Sequence, residues 1–318
     1  MNSTLEQEMA TNHVYMFLVI YTFIIIFIIT GKSLVLWMVY KVLSLHTVTN
    51  MFTAHLSMID LITGVLALPL SMITNLILPH MNDIHVQSKY LCLVQKFLIL
   101  SCNGISVLGL LGIAIERYIA IIHPLRYSTM MAAKNAKIIL VTFWTYAISL
   151  NLLLFIDGFN DYEPGQRCTM KSTLNPIYST FYKLNILAVV ILTIIMYSRI
   201  SWVSIKHRRA IISQLASIDN ARAVAYAKEH SALRTTTLVY IIFVIMYGQA
   251  MIMLTLNVNG VIMSISEAIL QLNSGVNPWI YVLYHRRYRR AMRIALNMKP
   301  KVTDSPDTGV TSHPENAM

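Results

Sequence analysis

The chain has 318 residues, 56% of them hydrophobic and 12% charged, whereas a soluble domain usually carries about 25% charged residues. That deficit excludes an ordinary water-soluble domain, because the apolar residues are gathered in long blocks and not spread at core spacing. The net charge of +11 does not single out nucleic acid either: the basic residues sit between and after the apolar blocks, the footprint of a membrane protein's cytoplasmic side.

A bilayer-crossing helix needs roughly 20 mostly apolar residues. Residues 1–13 are polar, carry Glu6 and Glu8, and lack the basic start and apolar run of a signal peptide. Asn2-Ser3-Thr4 is a glycosylation acceptor pattern, a weak signal alone. Span 1 is predicted from about Val14 to Tyr40, span 2 from Asn50 to Leu78, span 3 from Ser88 to Ile122, span 4 from Ala136 to Ile156 and span 5 from Pro176 to Ile205. The apolar run from Thr235 to Ser266 is too long for one crossing and breaks at Asn257-Val-Asn-Gly260, where turn residues cluster. That gives span 6, about Ala225 to Leu256, and span 7, Val261 to Tyr284. Residues 285–297 place Tyr288, Met292 and Ala295 at helical spacing among arginines, a basic amphipathic helix suited to an anionic leaflet. Residues 298–318 are polar and read as a disordered cytoplasmic tail. The expected fold is all-α: a seven-transmembrane-helix bundle over 14–284 with a short cytoplasmic amphipathic helix after span 7.

Segments after odd spans hold Lys41, Arg126, Lys134, Lys137, Lys206, Arg208, Arg209, Arg222 and Lys228, and the segment after span 7 adds five arginines from Arg286 to Arg293. Segments after even spans hold little beyond Lys89, Arg167 and Lys171. The imbalance puts the N-terminus outside and the C-terminus in the cytoplasm, and Asn2 then lies on the side where glycosylation occurs.

Charges inside a bilayer are expensive and are functional suspects. Asp60 lies midway along span 2 and Lys32 in the inner half of span 1. Lys32 either snorkels to the inner interface or pairs with Asp60, which spares the carboxylate from taking up a proton. Glu116-Arg117-Tyr118 ends the apolar run of span 3, either as an interfacial cap or as a switch in which carboxylates hold Arg117. Glu229, at the start of span 6, stands at the same depth. The three cysteines, Cys92, Cys102 and Cys168, fit no zinc spacing, and no metal or cofactor is expected.

Together these residues resemble the rhodopsin-like class of G-protein-coupled receptors, over about Val14 to Leu296. Glu116-Arg117-Tyr118, followed by Pro124-Leu125, is similar to that family's span 3 motif, and Asn273-Ser274-Gly-Val-Asn277-Pro278-Trp-Ile-Tyr281 to its span 7 motif. Leu56 and Asp60, Trp144 and Tyr197 match spans 2, 4 and 5. The resemblance implies a disulfide between Cys92 and Cys168, both on the oxidising side, and coupling to a heterotrimeric G protein. It also implies a lock between Arg117 and Glu229, and roles for Tyr197 and Tyr281 in holding Arg117 when the cleft opens. The matching pocket positions are Lys96, Ile99, Asn103, Phe181, Tyr182, Asn185, Tyr247, Met251, Glu267 and Gln271. Lys96 and Glu267 either pair with each other or grip a ligand's carboxylate and amine.

The chain departs from the pattern in three spans. Where the family has Asn after Gly31, this chain has Lys32. The family's sodium pocket would comprise Asp60, Ser106, Asn273, Ser274 and Asn277, and the ammonium of Lys32 is expected to take over part of the ion's role. Span 6 reads Phe243-Val-Ile-Met-Tyr247-Gly248-Gln249, without the family's Trp and Pro, and span 5 has Val189 for Pro. Ile99 and Gln271 exclude an amine-receptor aspartate and a retinal lysine. The expected function is transduction of an extracellular small molecule, lipid or short peptide to a G protein at the plasma membrane. A polytopic transporter or channel is the competing reading, and an enzyme is not expected because no nucleophile-base or metal-ligand spacing occurs.

Overall fold

The computed structural model describes residues 2–42, 47–80, 88–163, 166, 168–215, 220–256, 258, 260–284 and 286–296. Their side chains are described except at 2–10, 80, 204–205, 207–236, 284, 286–287 and 294–295. The expected cytoplasmic tail lies outside these residues. Among them the long elements are helices: α1 (Asn2–Lys41), α2 (Val48–Ile77), α3 (Lys89–Ile122), α4 (Ala133–Leu152), α5 (Pro176–Leu215), α6 (Asn220–Thr255), α7 (Gly260–Tyr284) and α8 (Arg286–Ala295). Helix α1 begins well before the expected start at Val14, so the polar segment 2–13 is helical and Asn2 opens the helix.

Helix ends are fixed locally. Thr47 and Ser88, both with extended backbone, cap α2 and α3 by accepting from the amides of Asn50 and Leu91, the usual service of a hydroxyl to an orphan N–H. Helix α2 contains two widened turns, Thr63–Ala67 and Ile73–Ile77, in which Leu68 N–H reaches Thr63 O and Leu78 N–H reaches Ile73 O. Each precedes a proline, Pro69 or Pro79. A proline ring clashes with the carbonyl four residues back, and the extra residue in the turn relieves that clash.

Six helices among the described residues are long and apolar enough to cross a membrane. The 25 residues of α7 have the length, but Glu267, Gln271, Asn273, Ser274 and Asn277 lower its apolarity. Those polar groups are on α7 because the bundle, not lipid, surrounds them. Helix α3 is the central post: 78% of its apolar window is buried, against 22% for α4, α5 and α6. Close crossings rest on glycine. A Cβ on Gly112 would stand 2.8 Å from Phe52, and one on Gly275 would stand 2.5 Å from Phe27, so only hydrogen fits where α3 meets α2 and α7 meets α1. At the end of the bundle expected to face outward, the Cys92–Cys168 disulfide ties the loop after α4 to the start of α3, while Cys102 is free and buried. Helix α8 docks by its apolar face: Tyr288 is buried, stacks on Tyr281 at 5.3 Å and donates its hydroxyl to Asn50 Oδ1 at 3.0 Å.

Candidate functional site

The polar residues form three groups along the bundle. The first is mid-membrane. Lys32 on α1 and Asp60 on α2 are 1% and 0% exposed, and Lys32 Nζ stands 2.5 Å from Asp60 Oδ2. Ser106 of α3 and Ser274 of α7 donate to the other oxygen, Oδ1, at 3.0 and 2.9 Å. One carboxylate therefore ties four helices, and the ammonium pairs instead of snorkelling. A buried carboxylate needs this much compensation, since desolvation penalises each bare charge. Beside it the amide oxygens of Asn273 and Asn277, and the Asn277 amide nitrogen, are buried without a hydrogen-bond partner among the described residues.

The second group closes the cytoplasmic end of α3. Glu116 is 1% exposed. Its Oε1 accepts from Thr49 Oγ1 at 2.7 Å and from the Tyr127 hydroxyl at 2.6 Å, and its Oε2 lies 2.7 Å from Arg117 Nε. Arg117 also donates to Thr49 Oγ1. Burial, reinforced by the Glu116 carboxylate, pushes the Tyr127 phenol up to about 12, so it remains a donor at any physiological pH. Arg117 is thus held by its own neighbour and by α2. The side chain of Glu229, the other expected partner, lies outside the described residues. Tyr118 packs edge-on against His123, and the Pro124-Leu125 turn projects outward, with Leu125 95% exposed.

Nothing in the sequence marks out Thr49 or Tyr127. Thr49 is one of several hydroxyls near the start of α2, and Tyr127 reaches Glu116 only because the chain turns at Pro124–Arg126.

The third group lies at the outer end. Lys96, Ile99, Tyr247 and Gln271 are buried, and Asn103, Tyr182, Met251 and Glu267 are half-buried. Tyr182 donates to the Leu100 carbonyl at 3.0 Å. Two expected pocket residues face elsewhere. Phe181 is 50% exposed and shares an outward stripe with Ile177, Leu184, Ile191 and Ile195. Asn185 accepts from the Tyr146 hydroxyl of α4 and donates to its own helix. The register of α5 turns Tyr178, Tyr182 and Ile186 inward instead.

Between the outer and cytoplasmic groups runs an aromatic ladder. Tyr247 stands 4.5 Å from Phe243, Phe243 stands 5.6 Å from Tyr240, and Tyr240 stacks on Tyr197 of α5 at 4.7 Å. Tyr281 is buried and stacks on Tyr288. Where the family has proline in span 6, Gln249 bridges helices: its amide nitrogen donates to Met246 O and Ser266 O, both at 3.1 Å, and its oxygen accepts from Ser266 Oγ at 2.9 Å. Gly248 leaves α6 continuous. On the far side of the bundle, Trp144 Nε1 donates to His55 Nε2 at 2.6 Å and ties α4 to α2.

The sequence pattern of the 7 transmembrane receptor (rhodopsin family) matches residues 31–281, well over half of the chain. Octopamine receptor 1 of Lymnaea stagnalis is 30% identical over 48% of this chain, which spans 23% of that receptor's length. Adenosine receptor A2a of Canis lupus familiaris is 25% identical over 90% of this chain and 73% of its own length. A QRFP-like peptide receptor of Branchiostoma floridae is 24% identical over 86% of this chain and 75% of its own.

Proposed function

The chain belongs to the rhodopsin family of seven-transmembrane receptors, and within that family of G-protein-coupled receptors for extracellular ligands we propose that Glu116 and Arg117 form its switch. The observation that carries this reading is the closed cytoplasmic cage, in which Thr49, Tyr127 and Arg117 all satisfy one buried carboxylate. A switch needs two arrangements close in free energy. Here the cage favours the shut one, and opening frees Arg117 for a heterotrimeric G protein. Tyr197 and Tyr281 then receive it. Exposed Leu125, on the turn after α3, offers the apolar contact such a partner needs.

The protein resides in the plasma membrane with its N-terminus outside and Asn2 open to glycosylation. The ligand enters between α3, α6 and α7. The relatives' names speak of octopamine, adenosine and a peptide, so no one ligand carries over. At Asp60 the carboxylate is closed off by Lys32, Ser106 and Ser274, an arrangement that suits a switch better than the path of a transporter or channel.

Nucleotide exchange by purified G proteins in reconstituted membranes tests the switch. Receptor-dependent exchange should fall to background with Arg117→Ala. Exchange that is indifferent to that change, or solute flux without exchange, would overturn it.

A further inference from the structure

We propose that the outward face of α4 holds an anionic phospholipid, its phosphate on Lys134 and Lys137 and an acyl chain along the groove that rises from them. Under the proposed orientation this lipid belongs to the cytoplasmic leaflet. The groove is made of two hollows that meet at Val141. One, of about 450 Å³, lies against Lys134, Lys137 and Val141. The other, of about 430 Å³, lies against Val141, Trp144 and Ile148. Both open where α4 faces lipid, since Ile138 is 54% exposed and Val141 64%.

The groove is apolar although the sequence there is mixed. Thr142 and Thr145 donate their hydroxyls to the carbonyls of Ile138 and Val141, both at 2.9 Å, so neither hydroxyl demands a ligand. Trp144 gives its N–H to His55 of α2 at 2.6 Å and offers the groove only carbon.

The start of α4 is the opposite. Lys134 and Lys137 lie one turn apart on one face and are exposed. Neither has an ion pair among the described residues, and α4 holds no acid along its length. Asn135, between them, is committed to the carbonyls of Thr129 and Met130, both at 3.2 Å. Two ammoniums at the mouth of an apolar groove complement an anion that carries a long hydrocarbon chain. The lengths agree. Lys137 to Ile148 rises about 16 Å along the helix, and one leaflet supplies half of a hydrocarbon core roughly 30 Å thick. A sterol would fill the groove and leave the lysines unmatched. A zwitterionic lipid brings its own cation, so the lysines gain less from it.

The test uses the full-length receptor in phosphatidylcholine nanodiscs, one receptor per disc. Two photoprobes, phosphatidylserine and phosphatidylcholine with the same diazirine-bearing acyl chain, are added at equal trace fraction, and labelled residues are mapped by mass spectrometry. The serine lipid should label Val141 to Ile148 about tenfold more than the choline lipid. The face of α1 at Val19 and Phe23, both exposed, should take the two probes alike. Lys134→Gln with Lys137→Gln should bring α4 to parity. Lys134→Arg with Lys137→Arg should keep the preference, which separates charge from any change in folding. Arg289→Gln with Arg290→Gln on α8 should leave it intact.

Equal labelling of α4 by both probes, a preference that survives loss of the lysines, or one that vanishes with the α8 arginines overturns the proposal. Displacement of the serine probe by cholesterol more readily than by unlabelled phosphatidylserine would give the groove to a sterol instead. Loss of labelling in discs that hold two receptors would give the face to a second copy. The discs carry the same lipids on both faces, so the result is independent of the receptor's orientation, and an inverted receptor would change only the leaflet that the site meets.

Discussion

Asp60 is a carboxylate that cannot reach water, so its charge has to be met inside the fold. Lys32 meets it at 2.5 Å with two serines on the other oxygen, which leaves no demand for a free cation. The receptor's melting temperature should therefore be the same in sodium chloride as in choline chloride. Lys32→Met strands the carboxylate and should destabilise the receptor by about 3–5 kcal/mol. Lys32→Asn should create a sodium-dependent rise in melting temperature that the unaltered protein lacks; a sodium effect in the unaltered protein would sink the idea. Lys32 was visible in the sequence because a charge among apolar residues stands out. Thr49 and Tyr127 were not, because their bonds to Glu116 depend on how α2 is rotated and where the chain turns after His123. They carry their own test. A hydrogen bond to a charged group contributes about 1.5–3 kcal/mol, and each 1.4 kcal/mol is about tenfold in an equilibrium. Tyr127→Phe should raise basal nucleotide exchange by about tenfold or more, and unchanged exchange would mean that the bond persists in the open state.

At the scale of helices, α6 shows what replaced the missing proline. Its continuity from Asn220 to Thr255 and the three hydrogen bonds between Gln249, Met246 and Ser266 make the outer half of α6 a partner of α7 and not a free lever. The clasp is between neutral groups, worth about 1 kcal/mol per bond. Gln249→Leu and Ser266→Ala should each lower the melting temperature and raise basal exchange, Ser266→Ala less because it leaves the two bonds to backbone carbonyls, and the double variant should do little more than Gln249→Leu alone. Full additivity would show that the clasp does not act as a unit. The sequence disclosed the loss of proline and the break before Gly260, since both are local signals. It could not disclose the clasp, which pairs residues of two helices, nor the widened turns of α2, which arise from strain that Pro69 and Pro79 impose on their own helix. The same limit explains Phe181 and Asn185: their distance along α5 is readable, but the helix's rotation is set by packing against α3 and α4.

For the molecule as a whole, the crossings follow from apolar length, while α7 shows the limit of that rule. Its polar face is tolerable because α1 and α6 pack against it and Asp60 of α2 accepts from Ser274. The proposed orientation rests on charge. Lys41, Arg126, Lys134, Lys137 and Lys206, with Arg289, Arg290 and Arg293 of α8, fall at the ends of helices that share one side of the bundle by chain order. The opposite side carries Lys89, already paired with Asp157 at 3.3 Å, together with Asp161 and Glu163. Each Lys or Arg near an anionic leaflet contributes about 1 kcal/mol, so the sum opposes inversion strongly. An epitope at the N-terminus should be reached by antibody on intact cells, and one at the C-terminus only after permeabilisation. The reverse pattern would put the Glu116–Arg117 cage outside the cell, where no G protein could meet it, and would remove the basis of the switch and of the outer binding site together.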